Sequence, residues 1–275
     1  MLRNYHTGVI CMDTLPKTLI IVPCYNEEHR IEAYRYAEYA QKNPDVHFLF
    51  VNDGSTDGTG TVIADLRNKN RNQIMNLNLS ENCGKAEAVR RGFQEAFKRE
   101  YDYIGYFDAD LATPLCSINS LCRLFTSEDI FIVMGSRVRL LGRNIHRRAV
   151  RHYIGRIFAT LVSIILSIPI YDSQCGAKLF KNDLILRRVF SYPFRTKWIF
   201  DVELLGRYKL LTGNMEDHII EYPLEAWNDV RGSKLAFTDF LKAPFELLKI
   251  CWFIYAPPGI SGYSRNFYRG FPDIR

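Results

Sequence analysis

The first half of the chain repeats one pattern: a short apolar or β-branched run, a polar cluster, then a stretch whose apolar residues recur near a helical period. The runs are Thr18 to Val22, Val46 to Val51, Gln73 to Leu79, Tyr103 to Phe107 and Ile130 to Met134. The helical stretches cover Glu27 to Lys42, Asp57 to Asn68, Lys85 to Lys98 and Pro114 to Thr126. Strands that alternate with helices imply an α/β domain, a mostly parallel sheet flanked by helices on both faces. Ligands of such sheets sit beyond the carboxyl ends of the strands. The polar clusters PCYNEE, NDGSTDGT, ENCGK, DAD and GSR follow the five runs in turn, so five loops converge on one edge. Neither GxGxxG nor GxxxxGK[ST] follows the first run, which argues against a dinucleotide oxidoreductase or a P-loop ATPase.

Chemistry enters with YIGYFDADLATP, where a strand-like segment ends in Asp108 and Asp110. Side chains alternate along a strand, so both carboxylates point to the same side at its exit. Two hard oxygen ligands suit Mg²⁺ or Mn²⁺, and the metal would in turn hold a diphosphate. A solvated turn is the competing reading of so short a motif. The seven cysteines, odd in number and without a CxxC pair, fit reduced thiols better than a disulfide framework or a zinc site. The start of the chain lacks the pattern of a secretory signal, and the expected location is cytoplasmic.

The formal net charge is +6, and its placement matters more than its size. No acidic residue lies between Asp129 and Asp172, while Arg137, Arg139, Arg143, Arg147, Arg148, Arg151 and Arg156 do. Such a block attracts phosphates, anionic headgroups or nucleic acid, or is simply a solvated face. Nucleic acid is the weakest of these, since no familiar nucleic-acid motif accompanies the block. Two apolar segments follow. Ile154 to Ile170 carries one narrow polar stripe, Arg156, Thr160, Ser163 and Ser167, and is too short to span a bilayer. Leu235 to Tyr255 places Phe237, Phe240, Phe245, Leu248, Trp252 and Tyr255 near helical spacing with Lys242 and Lys249 beside them. Both are expected to be amphipathic helices lying in a membrane surface, with core packing as the alternative.

Taken in order, VPCYNEE, VNDGSTDGT, NCGKAEAVRRGF, DAD, GSR, QCGAKLF and FDVELL resemble the family 2 glycosyltransferases of the GT-A (Rossmann-like) fold, nearest its dolichyl-phosphate glucosyltransferase and mannosyltransferase branch. The resemblance implies an N-terminal extension over 1–16, a glycosyltransferase domain over 17–235 and a C-terminal amphipathic segment and tail over 236–275. It implies an inverting enzyme at the cytoplasmic face of a membrane, moving a hexose from UDP-glucose or GDP-mannose to a polyprenyl phosphate. By similarity Pro23, Tyr25 and Glu27 would hold base and ribose, Asp53 a base N–H, and Lys85 a phosphate at a helix start. Asp108 and Asp110 would hold the metal and diphosphate, although Ala112 stands where the mannosyl enzymes often carry a further ligand, Gln. Arg137 would meet the acceptor or leaving-group phosphate, and Gln174 and Lys178 sugar hydroxyls or phosphate.

Asp201 and Glu203 fall where the family places an acceptor-side carboxylate. On a helix their spacing lets only one face the site. Arg231 and Lys234, in a segment resembling a mobile loop near the donor, would neutralise the departing diphosphate. Two rival readings are a soluble transferase acting on a sugar hydroxyl, with Asp201 or Glu203 as base, and a non-catalytic nucleotide-sugar or anionic-lipid binder.

Overall fold

The computed structural model describes residues 16–146, 149–230 and 237–255, with side chains described over 16–146, 153–230 and 242–255. Four strands form the first part of the sheet: β1 (Thr18–Cys24), β2 (Val46–Asp53), β3 (Ile74–Leu79) and β4 (Tyr103–Phe107). Further along lie β5 (Ile132–Ser136), β7 (Ala177–Lys181) and β8 (Ile219–Pro223), while β6 (Asn144–His146) pairs with β9 (Ala226–Asn228) in a separate two-stranded sheet. The main sheet runs β3-β2-β1-β4-β7-β5-β8. All its pairings are parallel except those of β7, which is antiparallel to both β4 and β5.

The helices are α1 (Ala33–Lys42), α2 (Thr59–Lys69), α3 (Lys85–Ala96), α4 (Ser117–Cys122), α5 (Ala149–Leu166), α6 (Leu184–Val189), α7 (Phe200–Thr212) and α8 (Phe237–Tyr255). They divide between the faces as strand alternation dictates. Leu19 and Ile21 of β1 point into a core shared with Phe93 of α3, Val162 of α5, Val202 of α7 and Ile250 of α8. Ile20 and Val22 point the other way, toward Tyr36 of α1, Ile63 of α2 and Ile118 of α4. A sheet buried on both faces explains why its strands read as continuous apolar runs.

The structure differs from the sequence reading at four elements. The first helix begins at Ala33 rather than Glu27, because residues 26–31 are committed to turns. Asn26 adopts φ 48°, its N–H donates to Ser55 Oγ, and the Glu27 N–H donates to Thr59 Oγ1. The fourth helix shrinks to Ser117–Cys122, and the fifth strand sits two residues later than expected. The QCGAKLF motif contributes β7 to the sheet, between β4 and β5.

α5 and α8 are amphipathic in an outward sense. Part of the polar stripe faces the protein: Ser163 Oγ exchanges hydrogen bonds with the backbone of Ile170, and Ser167 Oγ, just past the end of α5, lies 3.3 Å from the Tyr255 hydroxyl, while Thr160 is exposed. Ile157 and Ile164 of α5 are 66% and 69% exposed, and Phe245, Leu248 and Trp252 of α8 are 69%, 67% and 55% exposed. Among the described residues no helix is long and apolar enough to cross a membrane.

Candidate active site

The strand exits enclose a cavity of about 740 Å³. Pro23, Tyr25, Glu27, Asp53, Lys85, Asp108, Asp110, Arg137, Gln174 and Asp201, ten of the residues expected at a site, all line it. Its far wall is apolar and comes from α5 and α8, through Ile157, Phe158, Leu161, Pro244 and Leu247.

The nucleotide side is built by interlocked loops. Asp53, at the end of β2, accepts hydrogen bonds from the N–H groups of Cys83 and Gly84, both at 2.8 Å. Its carboxylate therefore clamps the loop before α3, and the Gly84 N–H is already satisfied rather than open to a phosphate. Gly54 permits this approach: its φ is +62°, and a Cβ there would lie 2.3 Å from the Glu81 carbonyl carbon. Asp57 accepts from the Thr59 N–H at 3.0 Å, a local turn that leads into α2.

At the β4 exit both carboxylates of the acidic pair have cationic partners. Lys85 Nζ donates to Asp108 Oδ1 at 2.6 Å, and Arg30 Nη2 donates to Asp110 Oδ2 at 2.6 Å. Burial and the neighbouring Asp108 charge push the Asp110 carboxyl above its usual pKa, against the opposing pull of the Ala112 N–H and Arg30. Gly176, before β7, makes room for the pair: a Cβ there would sit 1.9 Å from Asp108 Oδ2.

The floor of the cavity carries a buried charge pair. Asp201 lies in the first turn of α7, and its Oδ1 accepts from Lys178 Nζ at 2.7 Å and from the Tyr106 hydroxyl. Lys178 is fully buried and also donates to the Cys175 carbonyl at 2.6 Å, so its ammonium meets Asp201 and backbone rather than open cavity. Glu203 diverges, as a helix requires: it accepts from the N–H groups of Arg195 and Thr196 and from Arg207 Nη2. Of the two carboxylates expected at the acceptor side, Asp201 is the one that lines the cavity.

Arg137 is held rather than free. Its Nε and Nη2 donate to the two oxygens of Asp172 at 2.6 and 2.7 Å, and Asp172 is fixed in turn by its own N–H donating to Glu221 at 2.5 Å. The Trp227 ring centroid lies 5.4 Å from the guanidinium carbon. Only part of the Arg137 fork remains for a phosphate. Gln174 Nε2 is buried without a hydrogen-bond partner, a donor that a ligand oxygen would satisfy. Arg90 of α3 is buried against Glu87. Arg231, Lys234, Arg147 and Arg148 lie outside the described residues, as does the side chain of Arg151.

Sequence reasoning missed Arg30, Asp172 and Tyr106. Arg30 stood in a stretch read as helix, and the only signal was its spacing of three from Glu27. Asp172 was visible as the residue that closes the acid-free block. Among the described residues no cluster of three or more His, Cys, Asp or Glu side chains forms a ready-made metal cage. The acidic pair fits a divalent cation if a ligand's phosphate oxygens and water complete the shell.

Comparison with known proteins agrees with this geometry. A dolichyl-phosphate beta-glucosyltransferase of Trichomonas vaginalis is 32% identical over 252 residues, covering 87% of this chain and 72% of that protein. The human dolichyl-phosphate beta-glucosyltransferase is 31% identical over 247 residues, with coverages of 84% and 74%. Among solved structures, glucosyl-3-phosphoglycerate synthase of Mycobacterium tuberculosis, in complex with Mn²⁺, UDP-glucose and phosphoglyceric acid, superposes with a TM-score of 0.63 at 16% identity. That match covers 87% of this chain and 79% of that one. The Pyrobaculum calidifontis mannosyltransferase with GDP-mannose and Mn²⁺ gives 0.59 at 17% identity, over 86% and 63%. These likenesses show the fold, GT-A. The family model described as glycosyl transferase family 2 matches residues 19–187, more than half the chain. On this match, and on relatives of this identity, the chain belongs to glycosyl transferase family 2.

Proposed function

We propose that the protein transfers glucose, with inversion, from a nucleoside diphosphate sugar to a polyprenyl phosphate of the dolichyl class at the cytoplasmic surface of a membrane. The observation that carries this reading is that one cavity joins the Asp108–Asp110 pair to the apolar walls of α5 and α8. An acceptor with a charged head and a hydrocarbon tail matches both ends of such a cavity. The Trichomonas and human relatives, whose names specify dolichyl phosphate and glucose, support the same choice.

In the proposed complex Pro23, Tyr25, Glu27 and Asp53 surround the nucleoside. Asp53 acts there mainly through the loop it clamps. Asp108 and Asp110 hold Mg²⁺ or Mn²⁺, which when bound screens the diphosphate charge that grows as the glycosidic bond breaks. Lys85 adds a cation on the same side. Arg137, steadied by Asp172, directs the remaining edge of its guanidinium at the acceptor phosphate. A phosphate monoester, with a second pKa near ~6, is largely ionised at neutral pH and needs alignment more than deprotonation. Asp201 is accordingly assigned to a sugar or acceptor hydroxyl contact rather than to proton removal. Arg231 and Lys234 are assigned to the leaving diphosphate.

The exposed apolar residues of α5 and α8, with exposed Lys242 and Lys249 beside them, would seat these helices in the headgroup region. The test is transfer of radiolabel from UDP-glucose and from GDP-mannose to a short polyprenyl phosphate, beside a disaccharide acceptor. Lipid-linked label from UDP-glucose is the expected product. Label on the disaccharide alone would replace this reading with a hydroxyl-directed transferase.

A further inference from the structure

Arg30 has no part in the scheme above, yet it is the cation held most firmly against the acidic pair. It sits in the turn between β1 and α1, where its N–H donates to the Glu27 carbonyl at 2.9 Å. Its guanidinium bridges two carboxylates, with Nη1 donating to Glu27 Oε1 at 3.1 Å and Nη2 to Asp110 Oδ2 at 2.6 Å. The side chain is only 20% exposed, against 40% for Lys85 in its pair with Asp108. Lys85 is thus a solvated ammonium on a flexible stem, whereas Arg30 is a planar fork fixed from two sides. It also lines the cavity, so an incoming ligand can reach it.

We propose that Arg30 is the resident counter-ion of the metal-binding pair, opposing a divalent cation in the free protein and yielding Asp110 when the cation arrives with the nucleoside diphosphate. The inference rests on the metal–diphosphate reading of this site. Asp110 has one oxygen on Arg30 and the other on the Ala112 N–H at 3.1 Å, so neither is idle. A cation that takes Asp110 alone must displace the guanidinium or bind within roughly 5 Å of it, where like charges repel strongly in a partly buried site. A diphosphate changes the balance. Its oxygens accept the guanidinium fork, which leaves Asp110 to the metal and places Arg30 where it adds to the charge that holds the donor. Metal and donor therefore bind with positive coupling, and by linkage each strengthens the other by the same factor.

The experiment is a Mn²⁺ titration followed by electron paramagnetic resonance, in which the signal of free hydrated Mn²⁺ reports the unbound fraction. Wild type, Arg30→Gln and Arg30→Lys are each titrated with and without UDP, and thermal unfolding checks that every variant is folded. Without UDP, Arg30→Gln is expected to bind Mn²⁺ at least about tenfold more tightly than wild type, because a positive charge has left the site. Arg30→Lys keeps that charge and should stay within roughly threefold of wild type. UDP should tighten Mn²⁺ binding to wild type by about tenfold more than it does for Arg30→Gln. The inference is overturned if Arg30→Gln binds Mn²⁺ no better than wild type, or if Arg30→Lys behaves like Arg30→Gln. If wild type takes up no Mn²⁺ even with UDP, the metal–diphosphate reading itself falls, and that result is distinct from the other two.

Discussion

Lys178 and Asp201 form a charge pair whose removal should be costly in one way and cheap in another. Lys178 is 0% exposed and the Asp201 side chain 6%, and the two meet at 2.7 Å. Lys178→Met keeps the volume of the side chain but leaves Asp201 with the Tyr106 hydroxyl as its only remaining partner on Oδ1. Removing one member of a buried pair costs ~3–5 kcal/mol, and the surviving Tyr106 contact argues for the lower end of that range. Asp201→Asn leaves a buried ammonium with neutral acceptors only, the Cys175 carbonyl and an amide oxygen, and should cost a similar amount. The double variant leaves neither charge, so its loss should fall short of the sum of the singles by ~2 kcal/mol or more. Urea denaturation of the four proteins measures this directly. The same cycle on turnover separates the roles: if Lys178 acts through Asp201, Lys178→Met should matter little once Asp201→Asn is present. Additive losses in stability would refute the ion-pair reasoning, and additive losses in turnover would give Lys178 a role of its own.

Three further outcomes follow from particular contacts. Gly176→Ala would drive a Cβ to 1.9 Å from Asp108 Oδ2 and move the carboxylate, and a displacement of this size should lower turnover by ~100-fold in a steady-state assay. Ile157→Glu with Leu248→Glu should weaken co-sedimentation with liposomes by at least ~10-fold while thermal stability stays near wild type, since both side chains are exposed and each apolar group contributes ~1.5–3 kcal/mol when buried. Burial, reinforced by the Lys17 charge, holds the His47 imidazole below its usual pKa. The unfolded chain then binds the proton more readily, so this contribution is intact above pH ~6.5 and is lost as the pH falls through that value toward the folded pKa. His47→Gln should flatten that part of the stability–pH curve, and an unchanged slope would remove His47 from the account.

The strands were legible because burial on both faces turns them into continuous apolar runs, and their ends because polar clusters stop those runs abruptly. β7 was not legible for the opposite reason. Its second residue, Lys178, is a charge that looks misplaced in a strand until its partner Asp201, 23 residues away, is brought to it by the fold. The start of α1 failed in the same sense. Residues 27–32 carry a helical period, but contacts from Ser55 in the next loop and Thr59 at the start of α2 override it. The site followed this division. Residues at strand exits, such as Asp53 and Asp108, could be placed in the cavity from order alone. What those residues already bind could not be: Asp53 holds a loop, Arg137 is committed to Asp172, and Asp110 is shared with Arg30. Such pairings depend on loops that meet only in three dimensions. The periodicity of α5 gave the polar stripe correctly, while the direction it faces required the backbone of Ile170 and the hydroxyl of Tyr255 to be in place.

The most direct test of the central claim is proton magnetic resonance of the product formed from UDP-glucose, in which the sugar is α-linked, and a short polyprenyl phosphate with Mn²⁺. The account predicts a β-linked glucosyl phosphodiester on the lipid, formed by wild type and lost with Asp110→Asn. An α-linked product would contradict inversion. Free glucose without lipid product, or full activity in Asp110→Asn, would contradict the proposed acceptor or the proposed metal pair.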